Sequence, residues 1–170
     1  MIFMSQSGIT DPARASAWDA WYLEHLALMR TVPGISSAQR FGTLSADAPP
    51  SLAMYSVTSP DVFRDPYYLS VRGMGEWREW IDPRFYRRNL FAGLDFAPGV
   101  GAGSVMLVAD RGTPDAPGAG AAWICLTAAG IDESTPYRLI AVCSDAEGVQ
   151  VARRTDCALY RPVTFDAPHR

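Results

Sequence analysis

The spacing of apolar positions changes along the first 97 residues of the chain, and each spacing predicts an element. Over residues 12–31 the apolar side chains recur every three or four positions, which is typical of a helix with one buried face. Asp11 followed by Pro12 is a helix start, and Pro33 followed by Gly34 is a helix end. Three runs rich in aromatic and β-branched residues predict strands around this helix: residues 1–7, 35–44 and 51–58.

A second helical stretch is predicted from Pro60 to about Trp80, interrupted at Pro66 and by the glycines that follow it. Residues 85–94 have no helical periodicity and predict a fourth strand. The order over residues 1–97 is then β-α-β-β-α-β. This is the ferredoxin-like arrangement of the α+β class, in which two helices cover one face of an antiparallel sheet.

Residues 98–103 form a glycine-rich connector, and the segment after it repeats the first half imperfectly. Four anchors match across the connector at nearly one offset: residues 2–4 with 105–107, Trp18 with Trp123, Pro33 with Pro136, and residues 52–55 with 157–160. We therefore predict a truncated second ferredoxin-like unit over residues 104–170. It is expected to stop where its second helix and fourth strand would begin, with room for only a short helix before Gly130.

A sheet that carries helices on one face must cover its other apolar face, so the two sheets are predicted to pack together as an α+β barrel. The elements missing from the second unit would leave sheet edges, which favours a homodimer.

The charge and composition exclude several classes of function. The formal net charge is -3, and all 15 basic residues are arginine. Chemistry that depends on lysine is therefore absent, and the mild acidity argues against a nucleic-acid partner. No apolar run approaches the roughly 20 residues that span a bilayer, and the start of the chain lacks the features of a secretory signal, so we expect no membrane partner and a cytoplasmic location.

His25 is the candidate catalytic residue. It follows Trp21 by four positions and precedes Met29 by four, which places it on the helix face directed at the sheet. An imidazole titrates near neutrality and can accept and return a proton, as a general base does. The alternative is a buried histidine hydrogen-bonded to a backbone carbonyl or to Glu24. The second histidine, His169, lies near the proline-broken chain end and is expected to be solvated.

Aromatic and apolar side chains near His25 could line a pocket for a flat organic ligand, although they could equally be ordinary core. The candidates are Trp18, Trp21, Tyr22, Met29 and Tyr55. Tyr22 or Tyr55 would hydrogen-bond a ligand oxygen. Arg40 lies mid-strand among apolar neighbours and needs either a ligand carboxylate or a structural salt bridge, for which an aspartate is the candidate partner.

Several segments together resemble the EthD-like branch of the dimeric α+β barrel superfamily: residues 21–26, 32–35, 40–41, 53–55 and 84–91. The resemblance covers about the first 95 residues. Members include cofactor-independent monooxygenases, lactone isomerases, polyketide cyclases and dehydratases, and their cavity generally lies between helices and sheet. The resemblance implies that His25 faces such a cavity. The matching position in the second unit is Ala129 or Gly130, so any histidine-dependent site is confined to the first unit.

Haem is disfavoured as a ligand. The haem-degrading members use an asparagine, a tryptophan and a histidine that cannot be placed in this sequence, where Asn89 is the only asparagine. No metal-ligand cluster, serine-nucleophile motif or phosphate loop occurs in the sequence either. We therefore expect an enzyme without cofactor or metal that transfers a proton on a small cyclic or aromatic organic acid, as an isomerase, cyclase, lyase or monooxygenase. The alternative is a non-catalytic carrier of a small ligand, or a structural barrel whose pocket is filled by side chains.

Overall fold

The computed structural model describes residues 1–118 and 120–164, and eight strands within them form one closed antiparallel barrel. The strands are β1 (Ile2–Ser7), β2 (Ile35–Thr43), β3 (Ser51–Val57), β4 (Arg87–Ala92), β5 (Ser104–Arg111), β6 (Ile124–Ile131), β7 (Tyr137–Ser144) and β8 (Ala158–Pro162). The α-helices are α1 (Ala15–Met29), α2 (Pro66–Val71) and α3 (Asp145–Ala152). Short 3₁₀ turns occupy Pro12–Arg14, Pro60–Arg64 and Gly75–Trp80. No helix within this part of the chain is long and apolar enough to cross a membrane.

The helix starts predicted at Pro12 and Pro60 each begin a 3₁₀ turn, capped by the side chains of Asp11 and Ser59. Asp11 accepts a hydrogen bond from the backbone N–H of Ala13, just before α1. Asp65 accepts two bonds from backbone N–H groups at the start of α2. The second helical stretch is interrupted as predicted, because Pro66 begins a new helix and a turn with glycines at positive φ separates α2 from Gly75–Trp80.

Both halves of the chain contribute four strands in the same order. Around the barrel the first half reads β4-β1-β3-β2 and the second reads β8-β5-β7-β6, with β2 paired to β8 and β6 paired to β4. The barrel therefore closes within one chain. None of the eight strands is left with a free edge, so edge pairing gives no reason for a homodimer.

The second half is shortened, but not at the predicted place. Helix α3 and strand β8 are both present, so the prediction that the chain stops before a second helix and fourth strand is wrong. In the first half α1 lies between β1 and β2, whereas no helix lies between β5 and β6 in the described residues, where the stretch from Gly112 to Gly120 is rich in proline and glycine. The matched anchors implied that residues 157–160 belong to the third strand of the second half. Residues 158–160 instead lie in its fourth strand, β8.

Alternation along the strands produces three apolar layers. Residues such as Met4, Met54 and Phe91 point into the barrel, where they form one buried cluster with side chains of the second half. Their neighbours Phe3 and Tyr55 point outward and pack under α1 in a second cluster. A third cluster lies between the outer face of the second half and α3. The first and second clusters together bury all six residues of β1.

A charged side chain lies among these apolar groups. Arg138 on β7 is fully buried, and its guanidinium binds Asp110 through two contacts of 2.6 and 2.8 Å. It also donates to the side-chain oxygen of Gln6 at 2.7 Å and lies against the ring of Phe91. These contacts compensate a charge that would be very unfavourable if it were buried alone.

We predict that Asp110→Asn lowers the free energy of unfolding by about 2–4 kcal/mol, because it removes the charge that balances a fully buried guanidinium. Urea denaturation measures this change. The matched control is Asp156→Asn, which removes an exposed aspartate that pairs with Arg111 and should change stability by about 0.5 kcal/mol or less. Equal effects of the two substitutions would contradict the prediction.

Candidate functional site

A cavity of about 580 Å³ lies between α1 and the outward face of the first-half strands. The segment from Tyr68 to Tyr86, which contains most of α2 and the Gly75–Trp80 turn, forms its remaining wall. Arg72, Gly73 and Arg78 lie on this wall and are exposed, so the cavity opens to solvent on this side.

The sheet wall of the cavity is built by strand register. Phe3 on β1 is paired with Tyr55 on β3, and Ser5 on β1 is paired with Arg88 on β4. All four side chains line the cavity. They occupy the outward positions of their strands, where alternation directs side chains toward α1 and away from the barrel interior.

His25 lines the cavity from α1 and is half-buried. Its ring stacks on Trp21 with centroids 4.8 Å apart and planes inclined by 9°. Among the described residues, no group is hydrogen-bonded to its ring nitrogens, so neither a backbone carbonyl nor Glu24 holds the imidazole. Burial lowers the pKa of His25 to about 4. The imidazole is therefore neutral at pH 7 and can accept a proton.

Two tyrosine hydroxyls lie close to one another at this site. Tyr22 on α1 and Tyr55 on β3 are both almost fully buried and both line the cavity. Burial raises the pKa of Tyr22, although Arg40 and the hydroxyls of Ser7 and Ser5 partly offset the rise. Burial also raises the pKa of Tyr55 well above its usual value. Both hydroxyls are thus protonated at neutral pH and can donate hydrogen bonds to a ligand oxygen.

Of the other residues predicted to contact a ligand, some line the cavity and others lie behind its wall. Met29 lines the cavity, whereas Trp18 and Trp21 do not. Trp18 is buried core, and Trp21 lies between it and the His25 ring as part of one aromatic stack. The two tryptophans therefore pack behind the His25 ring and do not contribute to the cavity surface.

Arg40 also lies outside the cavity lining. Its buried guanidinium binds Asp19 at 2.7 Å and Ser51 at 2.9 Å, and it packs over the ring of Tyr22 with 4.5 Å to the centroid. The structural salt bridge is thus present. Arg40 packs against Tyr22 and does not line the cavity.

The cavity is also lined by three arginines and two tyrosines that the sequence analysis did not assign to it. They are Arg72, Arg78, Arg88, Tyr68 and Tyr86. The sequence did contain a signal for Arg88, because strand alternation puts it on the same face as the apolar Leu90. No comparable signal exists for Arg72 and Arg78. They reach the cavity only through the irregular path of the chain after α2.

A residue of the second half holds Arg88. The carboxylate of Asp132, in the turn between β6 and β7, accepts a bond from the Arg88 backbone N–H at 2.7 Å and another from its guanidinium at 3.1 Å. Ile131 and Glu133, on either side of Asp132, have left-handed backbone angles of φ 69° and 44°. Such angles are unfavourable for side chains with a Cβ, so the surrounding contacts must impose this turn.

The structure does not bring an asparagine, a tryptophan and a histidine together on the cavity, as the haem-associated set requires. Asn89 is completely buried, is hydrogen-bonded to Ser134 and does not line the cavity, while Trp21 covers one face of the His25 ring. These positions do not fit that set. Within residues 1–118 and 120–164, no cluster of three or more histidine, cysteine or acidic side chains could hold a metal ion. His169 lies outside the described residues.

No family model and no curated protein matches the chain. Among solved structures, the chain is similar to the crystal structure of a protein provisionally described as a chlorite dismutase, TA0507. The TM-score is 0.58 at 11% sequence identity, and the match covers 96% of this chain and 94% of that chain. This likeness shows the fold alone. The chain is a mixed α/β protein with an eight-stranded antiparallel barrel similar to that structure.

We predict that His25 makes the protein less stable in acid. The folded pKa is about 4 and the unfolded value about 6.5, so only the unfolded state binds this proton as the pH falls from 6.5 to 4. Between pH 7 and pH 4.5 the wild-type protein should lose about 2 kcal/mol more free energy of unfolding than His25→Gln. Urea denaturation of both proteins at the two pH values measures the difference, and parallel losses would contradict the assignment.

Proposed function

We propose that the protein is a cofactor-independent enzyme that transfers a proton on a small cyclic or aromatic organic acid bound in the cavity beside α1. The observation that carries this proposal is the convergence of a neutral imidazole and two protonated phenols on one open cavity. Its volume of about 580 Å³ suits a small organic ligand. A barrel whose pocket is filled by Trp18, Trp21 and Met29 would not have this space.

In the proposed step, His25 removes a proton from a carbon next to a carbonyl group of the substrate. The electron pair of the broken C–H bond moves toward the carbonyl oxygen, and the resulting oxyanion accepts hydrogen bonds from Tyr22 or Tyr55. Return of the proton from His25 to another carbon gives an isomer, and loss of a leaving group gives an elimination product. The lowered pKa of about 4 makes His25 a weaker base than a free imidazole and makes its protonated form a stronger acid, which favours return of the proton.

Arg88 takes the role that the sequence had suggested for Arg40. It lies opposite Ser5 on the sheet wall, and its guanidinium can bind a substrate carboxylate while Asp132 fixes its position. A carboxylate bound in the cavity would also raise the pKa of His25, because a nearby negative charge favours the imidazolium form.

The second candidate function is a non-catalytic carrier of the same small acids. The open cavity supports it equally well, since a carrier needs the binding groups but no proton transfer. The two candidates differ only in whether His25 changes the bound molecule.

We also infer a finer description of the fold, in which the barrel consists of two ferredoxin-like units and the second has lost its first helix. The shared strand order of the two halves supports this description. The EthD-like residues and the placement of His25 toward a cavity between helix and sheet are consistent with it. A homodimer stays a prediction, and it would need a surface other than a strand edge.

We predict that His25→Gln lowers enzyme-catalysed exchange of carbon-bound protons by about 10² to 10⁴-fold, as expected for loss of a general base. Proton NMR in D₂O on a panel of cyclic and aromatic keto and unsaturated acids measures the exchange. Glu24→Gln, an exposed position on the same helix, is the matched control and should exchange at the wild-type rate. Exchange that persists in His25→Gln would contradict the catalytic role. Absence of exchange for acids that bind the wild-type cavity would favour the carrier.

A further inference from the structure

The cavity wall is strongly positive. Arg72, Arg78 and Arg88 all line it, and no aspartate or glutamate does. Asp132 already pairs with Arg88, so a single ligand carboxylate would leave one of the three charges without a partner. The excess charge is the observation that the proposed function leaves unexplained.

Arg88 is the fixed member of the three. Its guanidinium binds Asp132 through one terminal nitrogen at 3.1 Å, and it packs against the ring of Tyr86. Its Nε atom is buried and has no hydrogen-bond partner among the described residues. A buried donor without a partner is costly, so this N–H is suited to a ligand oxygen.

Arg72 and Arg78 form no ion pair with a carboxylate among the described residues, and the same is true of Arg87, Arg153 and Arg154 outside the cavity. Several arginines outside the cavity are each paired with an aspartate: Arg14, Arg64, Arg84, Arg111 and Arg161. Two guanidinium groups without an ion pair therefore border a cavity whose lining contains no acidic side chain.

The unpaired arginines lie on a different wall from Arg88. Arg72 follows α2 and Arg78 belongs to the Gly75–Trp80 turn, whereas Arg88 belongs to β4. Burial raises the pKa of the Tyr68 hydroxyl, and the positive charges of Arg72 on one wall and Arg88 on the other partly oppose that rise. Arg72 and Arg88 therefore place positive charge on two walls of the same open cavity.

We propose that the natural ligand of this cavity is a small organic acid with two separate carboxylates, one bound by Arg88 and the other by Arg72 and Arg78. This inference rests on the proposed function and specifies its substrate class. Two carboxylates on a small ring would neutralise most of the repulsion between the guanidinium groups, and guanidinium binds carboxylate through paired hydrogen bonds.

Calorimetric titration with four aromatic acids and one phosphate ester tests the proposal: benzoate, phthalate, isophthalate, terephthalate and phenyl phosphate. At least one dicarboxylate should bind the wild-type protein about tenfold or more tightly than benzoate, since each additional charge-assisted contact contributes about that factor. The preferred isomer reports the separation of the two binding groups. Failure of every dicarboxylate to bind, equal affinity for benzoate, or tightest binding of phenyl phosphate would overturn the proposal.

Substitutions on the exposed wall assign the second carboxylate. Arg72→Gln and Arg78→Gln, alone or combined, should weaken the preferred dicarboxylate about tenfold while leaving the affinity for benzoate within about twofold. The matched control is Arg64→Gln, which removes the same charge from an exposed arginine outside the cavity and should alter neither affinity. An equal loss for benzoate and dicarboxylate in the Arg72 and Arg78 variants would contradict two separate subsites.

These titrations do not depend on turnover, so the two proposals can fail independently. Loss of proton exchange in His25→Gln without any preference for dicarboxylates would overturn this inference and leave the proposed function standing. A clear preference for dicarboxylates together with exchange that His25→Gln does not affect would support the ligand class and remove the catalytic role.

Discussion

The structure depends on the burial of both faces of the first-half strands. In β1 all six residues are buried, because one alternate set fills the barrel and the other set lies beneath α1. A strand in this position has no solvent-exposed face on which to carry polar groups. A polar side chain on its outward set, such as Ser5, must therefore be satisfied by a neighbour or by a cavity. Ser5 lines the cavity beside α1, which provides that space.

Much of the first half could be predicted from the sequence because its signals are local. The Asp11 and Pro12 start of α1 and the apolar spacing within it determine the helix and direct Tyr22, His25 and Met29 to one side. The second half could not be predicted in the same way. The anchor at residues 52–55 lies in the third strand of the first half, whereas the residues matched to it lie mostly in the fourth strand of the second half, because no helix separates β5 from β6 in the described residues. Helix α3 also has a capping box formed by Ser144 and Glu147, a local signal that the apparent repeat obscured.

From the sequence, the candidate site could be predicted for the residues of α1 and for Tyr55 on β3. The cavity is lined by His25, Tyr22, Met29 and Tyr55. Arg40 does not line it, because its guanidinium binds Asp19, which lies one helical turn before Tyr22. Sequence spacing cannot show which of two possible partners reaches an arginine. The basic residues that do line the cavity come from a strand and from an irregular segment, and their convergence is a property of tertiary structure. Arg72 and Arg78 in particular have no periodic pattern that relates them to α1.

The attachment of Arg88 to Asp132 means that the two halves are not independent modules. The cavity belongs to the first half, yet the carboxylate that orients one of its charged groups comes from the hairpin between β6 and β7. Residues 1–97 excised from the chain would lose both that carboxylate and the strand that pairs with β4. A change in the length or backbone shape of this hairpin would therefore move a charged group of the cavity wall without any substitution among the residues that form the wall.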